Sequence, residues 1–138
     1  MSIVQTQTTS FKKELYQAIH DLSTDTIKIA LYTGNADLNE ATTVYSSTNE
    51  VSGTGYTAGG QVMAGVAISS SGYVAYANWA NVSWTAALTA RCALIYNASK
   101  GNKSVAVLDF GSDKTSTTTF TITMPANTST TALIRSSN

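Results

Sequence analysis

Two segments of this chain, residues 89–96 and 104–110, are apolar at nearly every position, and Asn97-Ala-Ser-Lys-Gly-Asn102 lies between them. Runs of seven or eight such residues are too short for a typical buried helix and suit strands in the middle of a sheet. In the first, Cys92, Leu94 and Tyr96 point to one face while Ala93 and Ile95 point to the other. The intervening Asn, Ser and Gly are turn formers, so the two segments are expected to pair as antiparallel neighbours at the centre of the core.

The rest of the chain falls in around that pair. Phe11, Leu15, Ala18, Ile19 and Leu22 recur on one stripe of a helix, with Ser10 placed to cap it. Ile27, Ile29 and Leu31 alternate with Lys28, Ala30 and Tyr32, the period of a half-buried strand. Further strands are predicted over residues 42–46, 61–68, 73–79, 120–124 and 131–135. A turn is expected at Ser69-Ser-Ser-Gly72, and residues 81–84 continue the 73–79 strand after a bulge. Turn signals every 8–12 residues, with no helix between strands, predict a mainly β fold. The expected form is an antiparallel β-sandwich or jelly roll of about eight strands with one short N-terminal helix. Residues 1–10, polar apart from Met1, Ile3 and Val4, read as an extended N-terminal arm, and residues 11–138 as a single β-rich domain.

Composition narrows the function more than the fold. Eight Lys and Arg balance eight Asp and Glu, while Ser and Thr make up 39 of 138 residues. A neutral chain lacks the electrostatic footprint of a nucleic-acid or polybasic membrane binder, so neither partner is expected. No apolar run approaches the roughly 18 residues of a membrane helix, and the first ten residues lack the pattern of a secretory signal. Synthesis in a cytoplasm is expected, and Asn-x-Ser/Thr triplets such as those at Asn81 and Asn97 read as products of a Ser/Thr-rich composition.

Groups able to do chemistry are few. One Cys and one His cannot form a disulfide or a Cys/His zinc site. Cys92 with His20 and Asp21 is the set from which a nucleophile and base could be drawn. A core thiol and a surface histidine near a helix end account for both without catalysis. Gly53-Thr-Gly-Tyr-Thr-Ala-Gly59 superficially suggests a phosphate loop, but it joins no strand to a helix and has no P-loop lysine. Asp109 with Asp113, and Asp37 with Glu40, lack the spacing of a calcium loop and read as solvated carboxylates. Tyr73, Tyr76, Trp79 and Trp84 form an aromatic cluster that would suit glycan stacking if exposed and core packing if not. No enzyme activity, cofactor or metal is expected.

Several stretches carry a likeness beyond their physics. Ser10-Phe-Lys-Lys-Glu-Leu15, Asp25-Thr-Ile-Lys-Ile-Ala-Leu-Tyr32 and Asn49-Glu-Val-Ser-Gly-Thr-Gly-Tyr-Thr-Ala-Gly-Gly60 are three of them. Ala90-Arg-Cys-Ala-Leu-Ile-Tyr-Asn97 and Val105-Ala-Val-Leu-Asp-Phe-Gly111 are the others. Together the chain resembles a family of small tailed-bacteriophage virion proteins, and is most like the capsid cement, or head decoration, proteins. Cys92 departs from the Gly expected in relatives. The resemblance implies a structural protein on the head surface, commonly a homotrimer, that clamps the major capsid protein lattice through many weak contacts. Ile3 and Val4 of the arm, with Gly53, Gly55, Tyr56, Gly59 and Gly60 of the glycine-rich connection, are the expected partner-binding residues. Both segments are expected to extend from the sandwich and add strands to a neighbour's sheet. The alternative is a phage tail or fibre-associated module that binds host-surface glycans on Tyr73, Tyr76 and Trp79.

Overall fold

A computed structural model describes residues 2–137. Among them are ten strands, and the fold is mainly β, with antiparallel ladders and one short α-helix. In chain order they are β1 (Thr6–Gln7), α1 (Thr9–Tyr16), β2 (Ile27–Tyr32), β3 (Gln61–Val62), β4 (Ala67–Ser71), β5 (Val74–Asn78), β6 (Val82–Trp84), β7 (Thr89–Asn97), β8 (Lys103–Thr115), β9 (Phe120–Ile122) and β10 (Ile134–Ser136). Three sheets result, with orders β1-β8-β7-β2-β3, β10-β5-β4 and β6-β9.

The two apolar segments pair as expected: β7 lies between β8 and β2, with Ile95 opposite Ala106 on one side and Ile29 on the other. Their continuous apolarity has a visible cause, because both faces of this sheet are covered. On one face Ile27, Ile29, Leu31, Ala93 and Ile95 meet Phe11 of α1 and Trp84, Phe120 and Ile134 of the two smaller sheets. On the other, Ala30, Tyr32, Cys92, Leu94, Tyr96 and Val107 lie beneath Ala36 and Leu38 of the irregular stretch 33–48, with Ile3 and Tyr45 at the margin. Each buried Leu, Ile or Phe contributes about 1.5–3 kcal/mol relative to exposure. β2 is therefore buried on both faces as well, although alternation alone suggested one. Ala30 and Tyr32 are closed off from solvent, and the Tyr32 hydroxyl donates to Ser46 O at 2.6 Å.

Several expected boundaries move. The helix starts one residue before the expected cap and stops six before Leu22. Thr8, not Ser10, is the cap, because β1 ends there; its Oγ1 accepts from Phe11 N–H and is hydrogen-bonded to Ser104 Oγ at 2.9 Å. Ala18 ends the helix in the left-handed region at φ 58°, with Ile19 N–H bonded to Glu14 O and Ala18 N–H to Leu15 O. That is a Schellman closure with alanine where glycine is usual. It takes Ile19 out of the helical stripe.

The 42–46 strand reduces to a bridge between Val44 and Lys103. The 61–68 strand divides into β3, which pairs with β2, and β4, which pairs with β5. The serines expected to turn are strand residues, and the turn is Gly72-Tyr73. Residues 82–84 do not continue β5 but pair with β9.

Candidate interaction surfaces

The residues able to do chemistry are kept apart. Cys92 is fully buried among the side chains under the 33–48 stretch, and burial pushes its thiol up to about 11, so it is not a poised nucleophile. His20 lies on the other side of the sheet, its ring 5.0 Å from Phe11. It is not a surface residue, since its side chain is enclosed. Ser99 N–H donates to Asn97 Oδ1, which turns the Asn97 amide nitrogen toward both His20 Nδ1 and Asp25. That network assigns the imidazole proton to Nε2, where it is donated to Glu14 Oε1 at 2.8 Å. Lys100 Nζ completes the chain at 3.2 Å from Asp25 Oδ1. The network ties the end of α1 to the turn after β7, a structural task that the sequence reading did not assign to it.

Asp25 carries a pH signature. Burial works to raise its carboxyl, but hydrogen bonds from Asn97 and the Asp21 N–H, with the Lys100 ammonium, outweigh it and hold the group below the usual carboxylate range. A group depressed in the fold stabilises it fully above the unfolded value, and that stabilisation is lost as pH falls through the folded one. Wild-type protein is therefore expected to lose stability more steeply below about pH 5 than Asp25→Asn, measured by urea unfolding across the acid range. Parallel pH profiles would contradict the assignment.

The glycine-rich connection does not reach away from the fold, contrary to the expectation from its flexibility. Val51 N–H donates to Leu31 O and Thr33 N–H to Asn49 O, so its start runs along the free edge of β2. Glu50 then holds the loop. Its carboxylate accepts from Tyr45 Oη at 2.6 Å, from Tyr56 Oη and from Gly59 N–H at 2.8 Å, while Tyr56 Oη also accepts from Leu31 N–H. Burial and the Glu50 charge raise the Tyr32, Tyr45 and Tyr56 hydroxyls, and Tyr96 rises to about 12 from the same causes. These phenols stay neutral donors rather than acids or bases. Gly60 packs on the β2 backbone, Gly55 on Thr85 and Ala86, and Gly59 near Tyr96 Oη, which donates to Gly59 O. Gly53 and Gly55 are exposed, Tyr56 and Gly60 are half-buried, and Gly59 is buried. At Gly55 and Gly60 the approach is one that a Cβ would block.

The arm is likewise docked rather than free. Ile3 bridges Leu38, Val4 N–H donates to Leu38 O, and Thr6 and Gln7 pair with Val107 and Ala106. Ile3 is half-buried, whereas Val4 stays 42% exposed. The strand's partner is the chain's own β8, and Gln5 Oε1 accepts from Asp109 N–H while Gln7 Nε2 donates to Arg135 O of β10.

The aromatic cluster disperses. Trp79 and Trp84 are buried, and Tyr73 stands alone at the β4–β5 turn, 89% exposed. Trp79 is thus closed to glycan stacking. Asp37 Oδ1 accepts from Ser2 N–H and Asn39, and Asp109 pairs with Arg91, its carboxyl lowered by the Gly111 N–H and that guanidinium. Among the described residues no three His, Cys, Asp or Glu gather to hold a metal, and no helix is long and apolar enough to cross a membrane. A cleft of about 670 Å³ runs between β8 and β9 over Leu108, Phe110, Ile122, Met124 and Leu133. Its lining holds Lys114 as the one charged side chain.

No family model matches this chain, nor does any curated protein or solved structure.

Proposed function

We propose that this is a non-enzymatic bacteriophage structural protein, a capsid cement protein that binds the outside of the head lattice and stabilises it through oligomeric contacts. What supports the reading is the place of the family-like motifs in the fold. Asp25 to Tyr32, Ala90 to Asn97 and Val105 to Gly111 fall on β2, β7 and β8, and Asn49 to Gly60 is the connection locked against β2. The resemblance is therefore carried by the scaffold. No group of those residues converges as a nucleophile, base and orienting partner would. A net-neutral body suits a protein that works by repeated contact, because like-charged copies crowded on a particle repel.

In this role the protein is made in the host cytoplasm and joins the virion head as a homo-oligomer, a trimer by the resemblance, with the major capsid protein as partner. Imaging of purified virions, with quantitation of the protein per particle, tests this directly. Density at regular positions on the head in stoichiometric copies is expected. Finding the protein only on tails, or missing from purified virions, would overturn the reading.

A further inference from the structure

The chain from residue 51 to residue 90, forty positions, contains no Asp, Glu, Lys, Arg or His. Its most exposed part is the β4–β5 hairpin, closed by Gly72 at φ 57° followed by Tyr73. Glycine with positive φ as the first of two turn residues fits the tight II′ turn. β5 has β10 on its other side, so β4 is the outer strand of its sheet, and all five of its residues are exposed. It is also the longest of the strands that end a sheet: β1 and β3 have two residues each, and β6, β9 and β10 have three, β10 carrying Arg135.

Sheet edges on monomeric proteins are normally guarded by a charge, a proline, a bulge or a covering segment, because unpaired N–H and C=O groups recruit another strand. β4 has no charge or proline, and its register with β5 runs without a shift from Ala67 opposite Asn78 to Ser71 opposite Val74. Ser71 and Val74 flank a two-residue turn and so exchange hydrogen bonds. By alternation Ser69 and Ala67 also bond to β5, while the backbone groups of Ile68 and Ser70 point outward. Ile68 is 54% exposed beside Val66 at 36%. Its side chain shares a face with Ala77 and Ile134 and sits at the mouth of a groove of about 420 Å³ lined mostly by apolar side chains, Leu15, Leu22 and Ala75 among them, with His20 and Asp21 also in its lining.

From this geometry we infer that β4 is a self-pairing edge: two copies of the chain join β4 to β4 antiparallel about a two-fold axis at Ile68. The occupant is a second copy because the edge demands an extended strand, and β4, with no charged residue of its own, offers no partner to a charge laid along it. β4 itself supplies an extended, uncharged strand whose outward groups fall in matching positions. With the axis at Ile68, each Ile68 faces its twin and each Ser70 faces Val66 of the other copy. Two three-stranded sheets become one of six strands, and the apolar side chains at the groove mouth are covered. The contact is isologous and closes on itself. It can therefore link copies belonging to neighbouring oligomers, and it does not depend on what surface the protein decorates.

The test is the solution mass of the purified full chain by sedimentation over a concentration series. Wild-type protein is expected to have at least twice the mass of Ile68→Lys and of Ser70→Pro, with circular dichroism unchanged. The proline removes an outward N–H and leaves the β4–β5 ladder intact. Under oxidising conditions Ile68→Cys is expected to form a disulfide-linked dimer, since directly opposed residues lie about 5.5 Å apart at Cα. Ser70→Cys is expected not to, and buried Cys92 does not compete. Equal mass for wild type and Ile68→Lys up to millimolar concentration, or cross-linking through Ser70→Cys in place of Ile68→Cys, would overturn the inference. Either result would leave the cement reading standing.

Discussion

Gly60→Ala is expected to destabilise the protein by about 3–5 kcal/mol, enough to unfold much of a marginally stable domain. The added Cβ would lie 1.8 Å from Ile29 O and 2.6 Å from Ile29 C. Nothing there can yield cheaply. Ile29 belongs to β2, which β7 holds on one side through the Ile29–Ile95 pair and β3 on the other through Gln61. Gly60 itself sits at φ 79°, where any L side chain adds about 1–2 kcal/mol of strain. Gly72→Ala separates the two effects, because φ is 57° there but no atom lies within 4 Å of the new Cβ. Urea unfolding is expected to charge Gly72→Ala with only the strain of about 1–2 kcal/mol. Equal losses at the two glycines would mean that close packing of the loop on β2 is not what Gly60 provides.

The second large effect is at Trp84. Truncation to alanine is expected to remove about 3–5 kcal/mol. Trp84 is 2% exposed, with ring centroids 6.0 Å from Tyr56 and 6.3 Å from Phe120, so it joins the glycine-rich connection to the β6–β9 sheet. Its Nε1–H is buried without a hydrogen-bond partner. No protein group accepts from it, and an unpaired buried donor is costly, so a side chain without it escapes that cost. Trp84→Phe keeps part of the aromatic contact and discards the orphan donor, and is expected to cost less than half as much as Trp84→Ala. Matching losses for the two variants, read from denaturant midpoints, would indicate that the indole N–H is satisfied in solution.

Gly60 and Trp84 also mark how far the sequence could be read. The β7–β8 pair was legible because a residue's burial is written in its own side chain, and continuous apolarity across a turn admits few other structures. Gly60 was legible as special but not as to why, since the group it must approach, Ile29 O, is contributed by a segment 31 positions earlier. Flexibility and close approach leave the same residue type in a sequence. The helix end was misplaced because Leu22 fits a stripe that Ala18 interrupts, and alanine carries no signal for left-handed backbone. Ser69 to Ser71 read as a turn for a similar reason. Serine is equally at home in turns and on a solvated strand, and only the pairing with Tyr76, Ala75 and Val74 decides between them. The run from 51 to 90 without a charge was in plain sight. Which of its residues form an exposed edge is decided only by the pairing of β4 with β5, so no surface was read from it.

The docking of β1 on β8 sets an order of events during synthesis. Thr6 pairs with Val107, so the first strand of the chain waits for a partner made about one hundred residues later. At translation rates of roughly 5–20 residues per second, that interval is about 5–20 s. Through it the face of α1 that carries Phe11 has neither β8 nor the small sheets to cover it. The central sheet closes only after β8 has emerged, so β1 and α1 take their final places long after the residues that form them are made.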